Sequence, residues 1–356
     1  MEKFYKQFKF SLWTVGPVHI GSGEKYTSKE FIWENKQYYF PDMGKLYNYL
    51  IEIGLDEKFE KFLLDGRNKR KRLNSFFYDN KISNRDFDGY FIKETKFEKT
   101  SSTQGQLNDI EKFIRNGLGQ VYIPGSSLKG SIRTILLNTH WKDENFILEV
   151  EQRRRNQGRK KENKKLIPWG SKKEIAFNDI FNEIRVSDSG PISNERLIIT
   201  QKWDFSSKTN QEKLLPVFRE SIDSLTPVEF TITTTTKRAY DLIKTLPVNA
   251  KAFYQNYQSF FLSDFPSELR QDNIQSPIYL GAGSGVWTKT IINQANGIIQ
   301  KRYMNLPNTK MVGKGVMKLT KAREKKYKIG GKENRLIKNQ GNFYEMGKSC
   351  FKLEEY

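Results

Sequence analysis

The amino-acid sequence predicts an α+β protein, and three observations support this fold class. Short segments alternate apolar and polar residues, as half-buried strands do. Longer segments carry apolar residues at helical spacing, which is typical of amphipathic helices. Strand and helix segments do not alternate regularly along the chain, which disfavours a parallel α/β architecture.

The first predicted strand spans residues 8–15, where Phe8, Phe10 and Leu12 point to one face. The segment His19–Gly23 follows it and contains too much glycine to continue as a strand. The later predicted elements are a strand pair at 30–33 and 37–40, a helix at 44–64, strands at 185–187, 197–203 and 229–236, a helical stretch at 237–262 and a closing strand at 343–353.

Three segments are strongly basic. Residues 67–72 hold five cations, residues 151–173 hold ten Lys or Arg against two Glu, and residues 321–338 hold eight cations against two acids. The segment 151–173 is predicted to be an insertion that is disordered or ordered by RNA. The predicted domains are an N-terminal one over 1–190, with basic insertions, and a C-terminal one over 191–356, with a glycine-rich loop and a basic tail.

The charge balance indicates a polyanionic partner. Among 356 residues there are 61 Lys or Arg and 41 Asp or Glu, which leaves a formal charge of +20. Such a surface repels itself unless it meets nucleic acid or an anionic membrane, although compositional drift toward lysine is the alternative. The sequence has one cysteine, no run of about 20 apolar residues and no signal-peptide core near Met1. We therefore expect a cytoplasmic protein without membrane association.

The most specific motif spans residues 122–137 and contains Pro-Gly-Ser-Ser-Leu-Lys-Gly. Pro124-Gly125 predicts a turn, and Ser126 or Ser127 can cap the helix that follows. Lys129 and Arg133 lie four residues apart near the start of that helix. Free N–H groups, a hydroxyl and two cations at a helix start predict a phosphate site, and an ordinary capped helix is the alternative.

Two further glycine segments are His19–Gly23, with Lys25 shortly after it, and Gly281–Gly285. Glycine lets a backbone approach a sugar-phosphate chain closely. Neither segment fits the P-loop or the dinucleotide fingerprint. Trp287 and Lys289 follow the second segment as a candidate stacking ring and phosphate contact, and a tight structural turn is the alternative.

Catalytic and metal-binding residues are sparse. His19 is a candidate general base for RNA cleavage, because deprotonation of a 2′-hydroxyl needs a base with a pKa near neutral. The alternative is that His19 contacts RNA or orders its loop. Asp42, Asp188 and Asp204 are expected to be structural, and the sequence has no His or Cys pattern for a metal. No catalytic residue, metal or cofactor is therefore predicted.

Several segments together resemble the RAMP superfamily of CRISPR-associated proteins, most closely the family of the fifth subunit of the Csm (type III-A) effector complex. The resemblance rests on His19–Gly23, Ile123–Gly130 with Arg133, Gly281–Gly285, Phe40-Pro41-Asp42, Leu166–Gly170 and Arg185–Ser189. It implies ferredoxin-like, RRM-type domains with long insertions. It also implies a place at the end of a helical RNA–protein filament, near the 3′ end of the guide RNA (crRNA), and support of crRNA 3′-end maturation.

The resemblance implies four kinds of partner: the guide RNA, the neighbouring RAMP backbone subunit, other Csm effector subunits and a trimming nuclease. We expect the chain to bind guide RNA without catalysis of its own. The alternatives are a metal-independent endoribonuclease that uses His19 as its base, and a mainly structural subunit. The residues predicted to bind RNA are His19, Gly21, Ser22, Gly23, Lys25, Gly125, Ser126, Ser127, Lys129, Arg133, Gly281, Gly283, Ser284, Gly285 and Lys289.

Overall fold

The computed structural model describes most of the chain, and its elements mix strands and helices throughout. The described residues are 4–66, 71–84, 86–99, 107–139, 180–271, 274–289, 315–337 and 339–356, together with the backbone of 148–151 and 163–167. The predicted basic insertion at 151–173 falls largely outside them, as do residues 67–70 of the first basic run.

The described strands are β1 (Lys6–Thr14), β2 (Gly21–Thr27), β3 (Ile32–Glu34), β4 (Gln37–Phe40), β5 (Tyr90–Lys93), β6 (Asp109–Phe113), β7 (Leu148–Glu151), β8 (Asn163–Ile167), β9 (Ile184–Val186), β10 (Leu197–Ser206), β11 (Gln211–Ile222), β12 (Pro227–Thr234), β13 (Pro277–Tyr279), β14 (Val316–Lys321), β15 (Lys326–Ile329), β16 (Lys332–Arg335), β17 (Phe343–Glu345) and β18 (Lys348–Glu355). The described α-helices are α1 (Met43–Glu52), α2 (Asp56–Leu64), α3 (Leu73–Asp79), α4 (Gly125–Thr139), α5 (Lys237–Lys244) and α6 (Leu246–Phe260). None of these helices combines the length and the apolar character needed to cross a membrane.

Two sheets organise the fold. One has five strands in the order β13-β18-β1-β12-β9, and the other has six in the order β17-β14-β10-β11-β6-β2. Within the described residues all strand pairs are antiparallel except β11 with β6. The prediction of a mixed fold without regular alternation of strand and helix is confirmed.

Both sheets take strands from both sides of residue 190. Strand β1 lies between β12 and β18, and β6 pairs with β11. One apolar core accordingly extends from Phe8 to Phe351. Strands from the two sides of residue 190 are interleaved in each sheet. The domain boundary at 190 therefore stays a prediction from the sequence.

Several predicted elements are confirmed by burial. Phe8, Phe10 and Leu12 of β1 face the core, and so do Leu128 and Ile132 of α4. A second, smaller core lies between α1, α2, α3 and the short sheet β3-β4-β5, and it is built by Leu46, Leu50, Phe59, Phe77 and neighbouring side chains.

Other predictions were wrong in their boundaries, and each has a local cause. The predicted helix at 44–64 is two helices because Gly54 adopts a φ of +67°, which ends α1. The predicted closing strand is two strands, since Gly347 turns the chain with a φ of +79° between β17 and β18. The helical stretch at 237–262 divides at Pro247, which lies in the first turn of α6. The basic segment at 321–338 contains the exposed hairpin β15–β16.

The prediction of a loop at His19–Gly23 was also wrong in part. Gly21 begins strand β2 and pairs with Phe113 of β6. Gly23 has a φ of +91° at an irregularity in that pairing, so a glycine-rich sequence forms an edge strand that contains a bulge. Ser22, Gly23 and Lys25 are exposed on this edge.

Candidate nucleic-acid interface

Two of the predicted glycine segments contact each other directly. The N–H of Ala282 donates to the carbonyl oxygen of His19 over 2.8 Å. Gly281 has a φ of +70°, and a Cβ at this position would lie 2.1 Å from the same oxygen. Only glycine fits there, and it joins the His19 segment to the Gly281–Gly285 loop.

The third segment, helix α4, lies beside this loop. Ser131 of α4 donates its hydroxyl to the carbonyl oxygen of Tyr279 over 2.7 Å, and Tyr279 ends β13 just before the loop. The fold therefore brings all three segments predicted from the sequence into one region. Along the chain, more than a hundred residues lie between each segment and the next.

Two N–H groups at the start of α4 already have acceptors within the protein. The N–H of Gly125 donates to Asp188 Oδ1 over 2.7 Å, and the N–H of Ser127 donates to the oxygen of Pro124 over 2.9 Å. The expectation of free N–H groups at the start of this helix is therefore wrong for Gly125 and Ser127, whose acceptors are a carboxylate and a backbone carbonyl of the same chain.

The remaining groups of this motif are arranged along one side of the helix. Ser126 is exposed, and Lys129 and Arg133 are partly exposed. The Arg133 guanidinium lies 4.8 Å from the ring centroid of Phe181, which holds it by a cation–π contact. These side chains stay predicted RNA contacts, whereas Gly125 has a packing role.

His19 is buried, which removes its ring from the surface. The residue is 1% exposed, and Nδ1 lies 2.6 Å from the carbonyl oxygen of Glu220. A carbonyl can only accept, so Nδ1 carries the proton of the neutral ring. Nε2 lies 3.8 Å from Glu111 Oε2. This ring orders the segment and cannot reach a ligand on the surface in this conformation.

Burial lowers the pKa of His19 from 6.5 to about 4, opposed by the hydrogen bond to Glu220 and assisted by nearby Arg219. A general base for RNA cleavage needs access to a 2′-hydroxyl and a pKa near neutral. The buried, weakly basic ring has neither property, and no observation favours the endoribonuclease alternative.

This shift predicts that acid destabilises the protein through His19. The folded state binds the proton with a pKa of about 4 and the unfolded state with one near 6.5, so stability falls as pH decreases from 6.5 to 4. Between pH 7 and pH 5 we expect a loss of about 2 kcal/mol from this residue. Denaturant unfolding of His19→Asn, which retains a donor for Glu220, should lack this component. An equal pH dependence in both proteins would contradict the assignment.

The Gly281–Gly285 loop requires each of its three glycines. Gly281, Gly283 and Gly285 all have positive φ values, of +70°, +88° and +90°. A Cβ at Gly283 would lie 2.9 Å from Nη1 of Arg219, and one at Gly285 would lie 3.8 Å from Cγ of Lys318. The loop therefore passes close to two cationic side chains of the six-stranded sheet.

Two side chains of this loop region differ from expectation. Trp287 is 2% exposed and packs on Phe260, with ring centroids 5.1 Å apart, so it is core and not a stacking platform for a base. Ser284 is 5% exposed and its hydroxyl donates to Gly281 O over 3.3 Å. Lys289 is exposed and donates to the same oxygen over 2.6 Å, and desolvation together with Arg219 lowers its pKa. Lys289 therefore lies beside the loop and close enough to Arg219 for the two cations to repel each other.

The three aspartates expected to be structural are so. Asp42 accepts from Gly44 N and Lys45 N at the start of α1, Asp188 caps α4, and Asp204 accepts from Lys318 Nζ over 2.8 Å. Among the residues that the structure describes, no three His, Cys, Asp or Glu side chains cluster as metal ligands would.

Sequence reasoning missed Lys202, Arg219 and Lys318, which lie on three neighbouring strands of the six-stranded sheet. The predicted strand at 197–203 has three apolar residues followed by Thr200-Gln201-Lys202, so no alternation of apolar and polar residues singled out Lys202. Cationic side chains beside a close-packed glycine loop form a site that can hold an anion without recognising its sequence.

Comparison with known proteins places the chain among CRISPR-associated proteins. A family model described as the RAMP superfamily matches residues 12–307. The chain is 55% identical to a CRISPR system Cms protein Csm5 of Streptococcus thermophilus, over 100% of this chain and 99% of that protein. It is 30% identical to a Csm5 of Mycobacterium tuberculosis, over 82% of this chain and 85% of that protein.

Two solved structures are similar in fold. One is a chain in the cryo-EM structure of a Csm–crRNA–target RNA ternary complex of a type III-A CRISPR-Cas system, with a TM-score of 0.64, 17% identity, and coverage of 97% of this chain and 100% of that one. The other is the crystal structure of T. onnurineus Csm5, with a TM-score of 0.58, 15% identity, and coverage of 96% and 99% respectively. At these identities the likeness establishes the fold alone.

Proposed function

Because this chain belongs to the RAMP superfamily and, within it, to the Csm5 family, we propose that it is a guide-RNA-binding subunit of a type III-A CRISPR effector complex. It binds crRNA on the 3′-end side of the assembly, supports 3′-end maturation and performs no catalysis of its own. Its other partners are the neighbouring RAMP backbone subunit and further Csm subunits. Its ferredoxin-like lobes, its cytoplasmic location and the recruitment of a trimming nuclease stay predictions.

The observation that carries this proposal is the convergence of the glycine segments beside cationic side chains. The Gly281–Gly285 loop contacts His19 on one side and lies next to Arg219 and Lys318 on the other. Backbone that approaches closely, together with Lys and Arg, is the means by which proteins hold nucleic-acid phosphates without reading bases. A formal charge of +20 adds long-range attraction for RNA.

Several predicted residues support RNA binding only indirectly. His19, Gly125, Gly281 and Ser284 are buried or tightly packed, so they shape the surface. The groups that remain for direct contact are Gly21, Ser22, Gly23, Lys25, Ser126, Ser127, Lys129, Arg133 and Lys289 together with the backbone of Gly283 and Gly285. Lys25 already donates to Asp109 over 2.9 Å, and an RNA phosphate would compete with that exposed carboxylate.

The proposal predicts strongly salt-dependent RNA binding by the purified chain. Each phosphate neutralised on a single strand contributes a slope of about −0.7 in a plot of log affinity against log salt concentration. With three or more phosphate contacts, we expect a slope of about −2 or steeper. Fluorescence anisotropy with a labelled single-stranded RNA measures it, and gel analysis of the same samples reports RNA integrity.

Each result has a direct interpretation. Salt-dependent binding with intact RNA supports a non-catalytic guide-binding subunit. A nearly flat salt response would contradict the proposal and favour a mainly structural subunit. Discrete metal-independent cleavage that is lost in His19→Ala would favour the endoribonuclease alternative.

A further inference from the structure

One face of the six-stranded sheet carries a row of charged side chains. Arg219 of β11 is directly opposite Glu111 of β6, and Lys318 of β14 is directly opposite Asp204 of β10. Directly opposed residues share a face of a sheet. Both pairs are bonded, since Arg219 Nε donates to Glu111 Oε2 over 2.6 Å and Lys318 Nζ donates to Asp204 Oδ2 over 2.8 Å.

Lys202 lies between these two ion pairs. It belongs to β10 at the point where the pairing with β11 is irregular, and its own cross-strand neighbour is Thr320. Burial is the main cause that lowers the pKa of Lys202, and Asp204, Lys318, Arg219 and Glu111 all influence it electrostatically. Within the described part of the chain, its ammonium group has no hydrogen bond or ion pair within bonding distance.

The charge of this row is unbalanced. Lys202, Arg219 and Lys318 face two carboxylates, those of Glu111 and Asp204. Lys289 adds a further cation beside Arg219. The two acids hold Arg219 and Lys318 in fixed positions, so the surplus positive charge falls on Lys202 and Lys289.

The glycine loop covers one end of this row. Gly283 comes so near Arg219 that a Cβ would lie 2.9 Å from Nη1, and Gly285 passes the aliphatic part of Lys318. A Cβ at Gly283 would also lie 2.8 Å from Cγ of Met346, so glycine is what allows the loop to pass this close to Arg219. Lys202 is partly buried and has no bonded partner among the described residues, and the neighbouring loop has glycine at the two positions nearest Arg219 and Lys318. This arrangement fits an anion of small cross-section such as a phosphodiester.

We propose that Lys202, Arg219 and Lys318, with the Gly281–Gly285 loop beside them, form a binding site for one backbone phosphate of single-stranded RNA, in which Lys202 makes the direct contact. The site rests on the proposed guide-RNA function and specifies where on the fold it is carried out. Arg219 and Lys318 are positioning residues, because their acidic partners fix the cationic face around Lys202. Since a phosphate is common to all nucleotides, the site is independent of RNA sequence.

The rival explanation is that Lys202 only neutralises Glu111 and Asp204. In that case its replacement would alter stability and leave RNA affinity unchanged. The two roles are separated by Lys202→Gln, which removes the charge and retains a polar side chain, and by Lys202→Arg, which retains the charge. The matched control is Lys208→Gln, since Lys208 is exposed in the turn of the same hairpin, beyond Ser206, which ends β10 about 13 Å along the strand from Lys202.

The experiment measures binding of one labelled single-stranded RNA to the full chain and its variants across a salt series, with denaturant unfolding of each variant. For Lys202→Gln we expect about tenfold weaker binding, the cost of one charge-assisted contact, and a salt slope reduced by about 0.7. Lys202→Arg and Lys208→Gln should remain within about twofold of the parent protein.

The outcomes separate this site from the proposed function. If the parent protein binds RNA and Lys202→Gln binds equally well with the same slope, the site is overturned and the proposed function stands. If the parent protein does not bind RNA at all, the proposed function fails and the site fails with it. An equal loss in Lys208→Gln would show that the effect is nonspecific charge, which also overturns the site.

Discussion

Lys348→Met is expected to lower the free energy of unfolding by about 3–5 kcal/mol, the cost of removing one partner of a buried ion pair. Lys348 is fully buried, and its Nζ donates to Glu345 Oε1 over 2.6 Å and to Tyr254 OH over 2.8 Å. The ammonium group also lies 4.4 Å from the centroid of the Tyr254 ring. Methionine fills a similar volume but leaves the Glu345 carboxylate without its cation.

The position of this pair explains why its loss would be costly. Glu345 is 3% exposed and also accepts from Tyr279 OH over 2.6 Å, so it cannot turn to solvent. The network joins the turn at Gly347 to α6 and to β13, which leads into the glycine loop. Disruption here would therefore loosen the support of the proposed RNA site as well as the core.

Guanidinium unfolding of the single variants and of the double variant Lys348→Met with Glu345→Gln tests this interpretation. The double variant should recover at least half of the loss, because no unpaired charge remains. Lys352→Met is the matched control on the same strand: Lys352 is exposed and pairs with exposed Glu354, so its loss should cost less than about 1 kcal/mol. A similarly small effect of Lys348→Met would contradict the buried-pair interpretation.

The sequence predicted helices and strands correctly where the apolar residues follow a single helical or strand period. Strand β1 and the buried face of α4 follow simple alternation or helical spacing, and both are as expected. Strand β11 was missed because most of its first half is exposed, and only Phe218 to Ile222 are largely buried. Gly54 and Pro247 are visible in the sequence, but their effect on helix boundaries depends on local backbone conformation.

The sequence could predict the separate segments of the candidate site but not the contacts that bring them together. Composition identified the glycine segments, but their contact depends on a hydrogen bond between Ala282 and His19, which are far apart in the chain. His19 is buried, and its ring donates to the carbonyl oxygen of Glu220, which is 201 residues away in the chain. Lys202, Arg219 and Lys318 become neighbours only through the pairing of their strands in the sheet. Lys348 is buried, but a lysine in a strand is usually exposed, so the sequence did not indicate this burial.

Gly125→Ala is expected to destabilise the protein by about 3 kcal/mol, although alanine is the better helix former. A Cβ at this position would lie 2.4 Å from the carbonyl oxygens of both Val186 and Ser187, which belong to backbone and cannot rotate away. The helix would have to move from β9, and the bond from Gly125 N–H to Asp188 would be strained. Denaturant unfolding measures the loss.

Gly130→Ala supplies the control with the opposite sign in the same helix. Gly130 is exposed, and a Cβ there meets no atom within 4 Å, so alanine should stabilise the protein by about 0.5–1 kcal/mol through helix propensity alone. The opposite signs would show that the Pro-Gly-Ser-Ser-Leu-Lys-Gly motif uses its first glycine for close packing on β9, which helps to fix Lys129 and Arg133 on their side of the helix. Stabilisation by both alanines would mean that Gly125 is not needed for packing, and a direct role for its backbone in binding RNA would become the better explanation.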